Sequence, residues 1–187
     1  SQKKYNDKGR VGKSIRVMIL GIPNVGKSSF INRITKKNTA NVGNKPGVTR
    51  QKQWVRINQN IELLDTPGVL WPKFESEEVA LNLAYTGTIK DDVLQIIDIG
   101  FNLLKLLVNK YLENTITRYK LDEKEIKTIL KKDKEENDKI LEIMYCIGKK
   151  RGTLIPGGNI DEEKVAKIIL DDFRSGKIGR ITLEEIN

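Results

Sequence analysis

The chain has 187 residues, 38% of them hydrophobic and 32% charged, with only 5 prolines, which suits one domain or two small ones that fold, and excludes a solenoid or a long multidomain enzyme. No apolar run approaches the ~20 residues of a membrane span, and the absence of histidine excludes histidine triads, histidine-held zinc and histidine acid–base catalysis. The formal net charge of +9 is uneven: residues 1–65 hold 14 Lys/Arg against 3 Asp/Glu, residues 66–187 hold 20 against 22.

The amino end, Ser1 to Asp7, is polar and lacks the apolar stretch of a secretory signal. With a single cysteine, Cys146, this fits a reducing cytoplasm. Ile15 to Leu20 is a short β-branched apolar run and predicts a buried strand. Phe30, Ile31 and Ile34 then recur at helical spacing over Ser28 to Lys37, and the polar stretch Asn38 to Thr49, with Gly43, Pro46 and Gly47, reads as a mobile loop. Gln53 to Ile57 and Ile61 to Leu64 flank the turn-forming Asn58-Gln59-Asn60, an antiparallel hairpin whose second strand should be buried.

Beyond Pro72 the apolar period becomes helical. Val93, Ile96, Ile97, Phe101, Leu104, Leu107, Val108 and Tyr111 predict one long helix with a core-facing stripe. Asp122 and Glu125 form a capping-box pattern that opens a short helix ending near Leu130. Lys131 to Lys139 is a solvated face or loop. Ile140, Leu141, Met144 and Ile147 give a further helix, stopped at Gly148, and Asp161 caps a last one that carries Val165, Ile168, Ile169 and Phe173 to Gly176. The boundary between a strand-bearing part, residues 1–87, and an all-helical part, residues 88–187, is expected at Thr86-Gly87-Thr88.

The chemistry concentrates in the first part. Gly21-Ile22-Pro23-Asn24-Val25-Gly26-Lys27-Ser28 fits G-x-x-x-x-G-K-[ST] at every fixed position, after a predicted strand and before a predicted helix. Such a loop brings backbone N–H groups and a helix N-terminus to phosphate oxygens. Asn24, Val25, Gly26, Lys27, Ser28 and Ser29 are the candidate nucleotide-binding residues, with Lys27 on the terminal phosphates and the Ser28 hydroxyl on Mg²⁺. Gly12-Lys13-Ser14 copies the end of the motif, but Asp7 stands where its first glycine is needed. Asp65-Thr66-Pro67-Gly68 closes the second hairpin strand, which suits Asp65 to the metal and the Gly68 N–H to a γ-phosphate. Thr49, in Pro46-Gly47-Val48-Thr49, is the candidate second metal ligand. Lys27, Thr49 and Gly68 are the expected catalytic set. From residues alone this is a P-loop nucleotide triphosphatase with a basic face, and an excess of charge on that scale points to a polyanion, RNA before others.

The segments G-I-P-N-V-G-K-S-S, P-G-V-T and D-T-P-G-V-L-W-P-K-F resemble the circularly permuted GTPases, as do T-G-T-I-K-D-D at Thr86 to Asp92 and Gly148-Lys149-Lys150-Arg151-Gly152. The resemblance runs from about Lys4 to the carboxyl end and implies an α/β fold: a P-loop GTPase-type three-layer domain followed by an all-α carboxyl-terminal domain. It further implies a cytoplasmic bacterial GTPase that takes GTP and GDP with Mg²⁺, binds the precursor of the large ribosomal subunit, and contacts ribosomal RNA through its helical domain. Lys149, Lys150 and Arg151 are the candidate RNA contacts. Asn24 is similar to the P-loop asparagine through which some of these GTPases hold K⁺, although asparagine also suits a tight turn.

Guanine recognition in that superfamily uses Asn-Lys-x-Asp. The one approach to it after Asp65 is Asn109-Lys110-Tyr111-Leu112, with leucine at the aspartate position and a helical setting. In the permuted family the element precedes the P-loop, yet 20 residues stand before Gly21, too few for it. The chain thus reads as a partial G domain lacking base-recognition strands, with a sheet edge and an apolar face left uncovered. Val69 follows Gly68 where Ras-like enzymes carry the glutamine that orients water. Two other readings remain at this stage: a nucleotide-gated RNA-binding module with incidental hydrolysis, and a P-loop ATPase.

Overall fold

A computed structural model describes residues 14–35, 52–58, 60–70, 74, 76–89 and 96–184. The expected loop from Asn38 to Thr49 lies outside them, and with it Thr49. The chain divides into two compact units, Ser1–Lys73 and Phe74–Asn187.

In the first unit, β1 (Ile15–Ile19) leads to α1 (Lys27–Thr35), and β2 (Gln53–Asn58) turns back into β3 (Ile61–Asp65). The sheet order is β1-β3-β2. β3 is central, parallel to β1 with Val17 opposite Leu63 and Ile19 opposite Asp65, and antiparallel to β2 with Val55 opposite Leu63. This register puts Val17, Leu63 and Val55 on one face, and α1 covers its β2–β3 part: Ile31, Val55 and Leu63 are buried together, with Ile19 and Ile57 packed against them, while Val17 stays 40% exposed. The apolar pattern of β3, paired on both edges, explains why that strand is the buried one. The expectation of incomplete cover holds among the described residues. β1 pairs only with β3, and on the face away from α1 Met18 is 54% and Trp54 48% exposed. Arg16 stacks over the Trp54 ring at 4.9 Å and pairs with Glu62 at 3.2 Å.

The second unit is helical: α2 (Glu77–Tyr85), α3 (Ile96–Lys110), α4 (Leu112–Tyr119), α5 (Glu123–Lys131), α6 (Glu136–Arg151) and α7 (Glu162–Arg174). Its core gathers Ile99, Leu103 and Leu107 of α3, Ile143 and Ile147 of α6, and Val165 and Ile169 of α7, each worth roughly 1.5–3 kcal/mol of apolar burial. Asp122 and Asp161 cap α5 and α7 as their spacing predicts, accepting the amides of Glu125 (3.0 Å) and Lys164 (3.0 Å). Among the described residues no helix is long and apolar enough to cross a membrane.

Four expectations are corrected. The division falls after Lys73, not at residue 87, because α2 belongs to the helical core through Ala84 and Tyr85. Its start is signalled by Ser76, whose hydroxyl accepts the Val79 amide at 3.2 Å, followed by Glu77 and Glu78 at the dipole's positive end. The long helix ends at Lys110, at the close of its stripe, but a further helix that the apolar pattern does not mark, α4, opens after Tyr111, where φ is −138°. Gly148 does not stop α6. It lies buried inside the helix, where a Cβ would fall 2.6 Å from Ile160 Cγ2, and the cap is Gly152 with φ 67°. Lys149, Lys150 and Arg151 therefore form the last helical turn of α6, not a loop.

Candidate functional site

The end of β1 delivers the chain into the loop Gly21 to Gly26, and α1 begins at Lys27. Two residues of this loop have positive φ: Asn24 at 59° and Gly26 at 92°. Asparagine and glycine are the residues that tolerate this conformation, so the tight turn alone accounts for both types at these positions. The Phe30 amide is bonded to the Gly26 carbonyl at 2.8 Å. Gly26 to Ser29 accordingly form the amide-bearing N-terminus of the helix, where anions are favoured. The Lys27 ammonium curls back over the loop and donates to the carbonyls of Ile22 (2.8 Å) and Gly21 (3.1 Å).

β3 carries the second half of the site. Because β3 is parallel to β1 and adjacent to it, both strands end on the same side, and Ile19 stands level with Asp65. The Asp65 carboxylate is fully buried. Its Oδ2 accepts the Ser28 hydroxyl at 2.9 Å, and its Oδ1 has no hydrogen-bond partner. A buried carboxylate oxygen left unsatisfied is costly, and here it lies beside a hydroxyl at the mouth of an anion-binding loop. The pair fits a hard divalent cation: Mg²⁺ is held by one or two protein oxygens and completed by waters and phosphate. No group of three or more His, Cys, Asp or Glu that could hold a metal ion occurs among the described residues.

Past Asp65 the chain is fastened to the P-loop. The buried Thr66 hydroxyl donates to the Ile19 carbonyl at 2.6 Å, and the Val69 amide reaches the Gly21 carbonyl at 3.3 Å. Gly68 touches Pro23 so closely that a Cβ would fall 2.5 Å from both the Pro23 nitrogen and Cα. Sequence reasoning identified Asp65 and Gly68 but missed Thr66 and Pro23, whose signal was their place within the two motifs. The structure thus brings Asn24, Val25, Gly26, Lys27, Ser28, Ser29, Asp65 and Gly68 into one unit, while Thr49 lies outside the described residues.

The remaining candidates sit in the helical unit. Lys149 lies over the Tyr145 ring at 5.7 Å and Arg151 over the Tyr119 ring at 5.2 Å. The Asn109-Lys110 pair ends α3, with the Asn109 amide donating to Glu136 at 2.9 Å, a packing role and not base recognition. Thr86-Gly87-Thr88 closes α2. Gly87 has φ 72°, the Thr86 and Thr88 hydroxyls meet at 3.1 Å, and Arg174 donates to the carbonyls of Ala84 (2.8 Å) and Tyr85 (3.0 Å).

Residues 16–145 match the family described as 50S ribosome-binding GTPase. The chain is 44% identical over 177 residues to a Bacillus cereus protein named ribosome biogenesis GTPase A, covering 95% of this chain and 56% of that one. A Thermotoga maritima protein of the same name is 27% identical over 172 residues, covering 90% and 56% respectively. The chain therefore spans a little over half the length of these relatives. Among solved structures, one titled as GNP-bound YlqF from T. maritima superposes with a TM-score of 0.55 at 22% identity, covering 98% of this chain and 64% of that one. This likeness supports the expected class, a partial P-loop GTPase-type α/β domain followed by an all-α part. A P-loop with its partner carboxylate, and a family match across most of the chain, converge on one assignment: the chain belongs to the 50S ribosome-binding GTPases.

Proposed function

We propose that the protein binds GTP with Mg²⁺ and hydrolyses it to GDP during assembly of the bacterial large ribosomal subunit in the cytoplasm, with its helical unit contacting ribosomal RNA of the precursor. The observation that carries the nucleotide chemistry is the buried Asp65 carboxylate, one oxygen on Ser28 and the other unpartnered. In this reading Lys27 exchanges its two loop carbonyls for the β- and γ-phosphates, and the amides of Gly26 to Ser29 hold the phosphate oxygens. Ser28 and Thr49 would hold the metal, the Asp65 carboxylate would support it from beside Ser28, and the Gly68 N–H would sense the γ-phosphate. Mg²⁺, when bound, neutralises charge on the phosphates. Asn24 holds a K⁺ ion beside them, in addition to making the turn.

Val69, 72% exposed, has no group to orient the attacking water, so that task falls to a part of the longer protein or to the ribosome. Lys149, Lys150 and Arg151, on the last turn of α6, make the RNA contact. The test of the site is Asp65→Asn, which keeps the shape and removes the charge. Affinity for a fluorescent GTP analogue should lose its dependence on Mg²⁺, whereas retention of the parental Mg²⁺ dependence would remove Asp65 from the site.

A further inference from the structure

Three cations converge on one buried carboxylate where α4, α6 and α7 end. Asp172, near the end of α7, has a side chain only 7% exposed. Arg118 grips both its oxygens, Nε to Oδ2 at 2.9 Å and Nη2 to Oδ1 at 2.6 Å, a fork that raises the arginine's own pKa. Arg151, the last residue of α6, reaches Oδ2 only at 3.4 Å, and Lys177 stands 3.9 Å from Oδ1.

These distances divide the labour. Arg118 satisfies the carboxylate at ordinary bond lengths, so Arg151 lies at the outer limit of a hydrogen bond and Lys177 beyond it. One negative charge is set against three positive ones, and two of the three are held loosely. Arg151 also donates to the Arg118 carbonyl at 3.3 Å, so both of its hydrogen bonds are long ones that a phosphate can replace, and the carbonyl ends of α6 and α7 favour cations there. The carboxylate also has a donor in reserve. The Tyr119 hydroxyl is buried without a hydrogen-bond partner beneath the Arg151 guanidinium, and burial first, then Asp172, pushes its pKa above the usual tyrosine range. If Arg151 turns outward, Tyr119 can donate in its place.

We propose that Arg151 and Lys177 form a phosphate clamp, organised by the Arg118–Asp172 pair, that takes a backbone phosphate of RNA. This rests on the RNA-contact reading above and relocates its centre: Lys149, on the Tyr145 ring, is not part of the clamp. A strand fits better than a free anion. Lys177 is 57% exposed and Arg151 31%, so the clamp is open, and the exposed Lys120 and Lys150 adjoin its residues in the chain. The cluster is no by-product of bulk charge, because residues 66–187 carry a slight acidic excess.

The experiment is fluorescence anisotropy of a labelled, mixed-sequence RNA hairpin titrated with the full chain over a range of KCl. Lys177→Gln, at an exposed position, and Arg151→Gln should each lower the slope of log affinity against log salt, and the two together by about 0.7–0.9, the share of one phosphate. Arg118→Gln should weaken binding too, because Arg151 is then drawn onto Asp172, and adding Asp172→Asn should restore it; because neutralising Asp172 also relieves the buried charge that Arg118→Gln leaves, the comparison is made at a temperature where thermal unfolding shows both variants folded. A parental slope in Lys177→Gln, or no rescue in the double variant, would overturn the clamp while leaving RNA binding itself intact. Absence of RNA binding by the parent chain would overturn both readings. Inorganic phosphate at millimolar concentration displacing the hairpin from the parent at constant ionic strength, but not from Arg151→Gln, would reassign the clamp to free phosphate.

Discussion

Gly68→Ala perturbs the contact between the two halves of the nucleotide site by one methyl group. The added Cβ would lie 2.5 Å from Pro23 N and Cα and 2.9 Å from its Cγ. Ordinary contact begins near 3.4 Å, and two of the three atoms met are backbone, so a rotamer change cannot relieve the overlap. Gly68 has no positive φ, which leaves steric separation of roughly 1 Å as the whole effect. A hydrogen bond from the Gly68 N–H to a γ-phosphate does not survive such a displacement, whereas the contacts of Gly26 to Ser29 with the other phosphates do. A charge-assisted hydrogen bond contributes about 1.5–3 kcal/mol, so affinity for a non-hydrolysable GTP analogue should fall by about 10- to 150-fold and that for GDP by much less. Calorimetry with both nucleotides on the complete protein measures this. Equal losses for the two would mean that Gly68 supports the loop generally and senses no γ-phosphate.

Three further outcomes are expected. Lys27→Ala should weaken triphosphate binding about tenfold or more, through loss of a contact worth ~1.5–3 kcal/mol, and an unchanged dissociation constant would sink the P-loop assignment. If Asn24 holds K⁺, replacing K⁺ by Na⁺ at fixed ionic strength should slow hydrolysis, and Asn24→Ala should abolish the difference; equal parental rates in the two salts leave Asn24 only its turn at φ 59°. Gly100→Ala, in mid-α3, would gain about 1 kcal/mol of helix propensity on an isolated helix. Here its Cβ would sit 2.5 Å from Ala166 Cβ and 2.7 Å from Ala166 Cα, so a net loss of about 1–3 kcal/mol is expected in denaturant unfolding, and stabilisation would contradict the close α3–α7 crossing.

The phosphate loop was legible because its chemistry requires particular residues at fixed spacing, and a strand and a helix flank it. Asp65 was legible for the same reason: a carboxylate at the end of a buried strand has few other uses. The helix boundaries were less so. Nothing in the apolar stripe marks the break at Tyr111, since neither glycine nor proline occurs there and the tyrosine remains tied in, its hydroxyl donating to the Thr182 carbonyl at 2.9 Å. Gly148 reads as a stop when viewed locally, and only the approach of Ile160 shows that it makes room inside α6. The Asp172 cluster was invisible because Arg118, Arg151 and Asp172 lie on three helices separated in sequence, and no local pattern encodes their meeting.

The division of the site between a base-blind and a base-reading part has a consequence for the chain itself. Every nucleotide contact assigned to the described residues, from Gly26 through Ser29, Asp65 and Gly68, is directed at phosphate or metal. The one segment similar to a guanine-reading element is spent elsewhere, with Asn109 bonded to Glu136 at 2.9 Å and Leu112 opening α4 where an aspartate is required. Strong discrimination arises when a site's polar groups are left unpaired by the wrong ligand, and a site without such groups cannot impose that penalty. These 187 residues should therefore bind GTP and ATP weakly and within about tenfold of each other, a difference of ~1.4 kcal/mol, while the longer protein should prefer GTP strongly. Competition of each nucleotide against a fluorescent GTP analogue on the isolated chain decides the point. A preference for GTP well beyond tenfold there would mean that a base-reading group lies within this chain, and Asn109→Ala, with the nucleotide competition repeated, would show whether α3 supplies it.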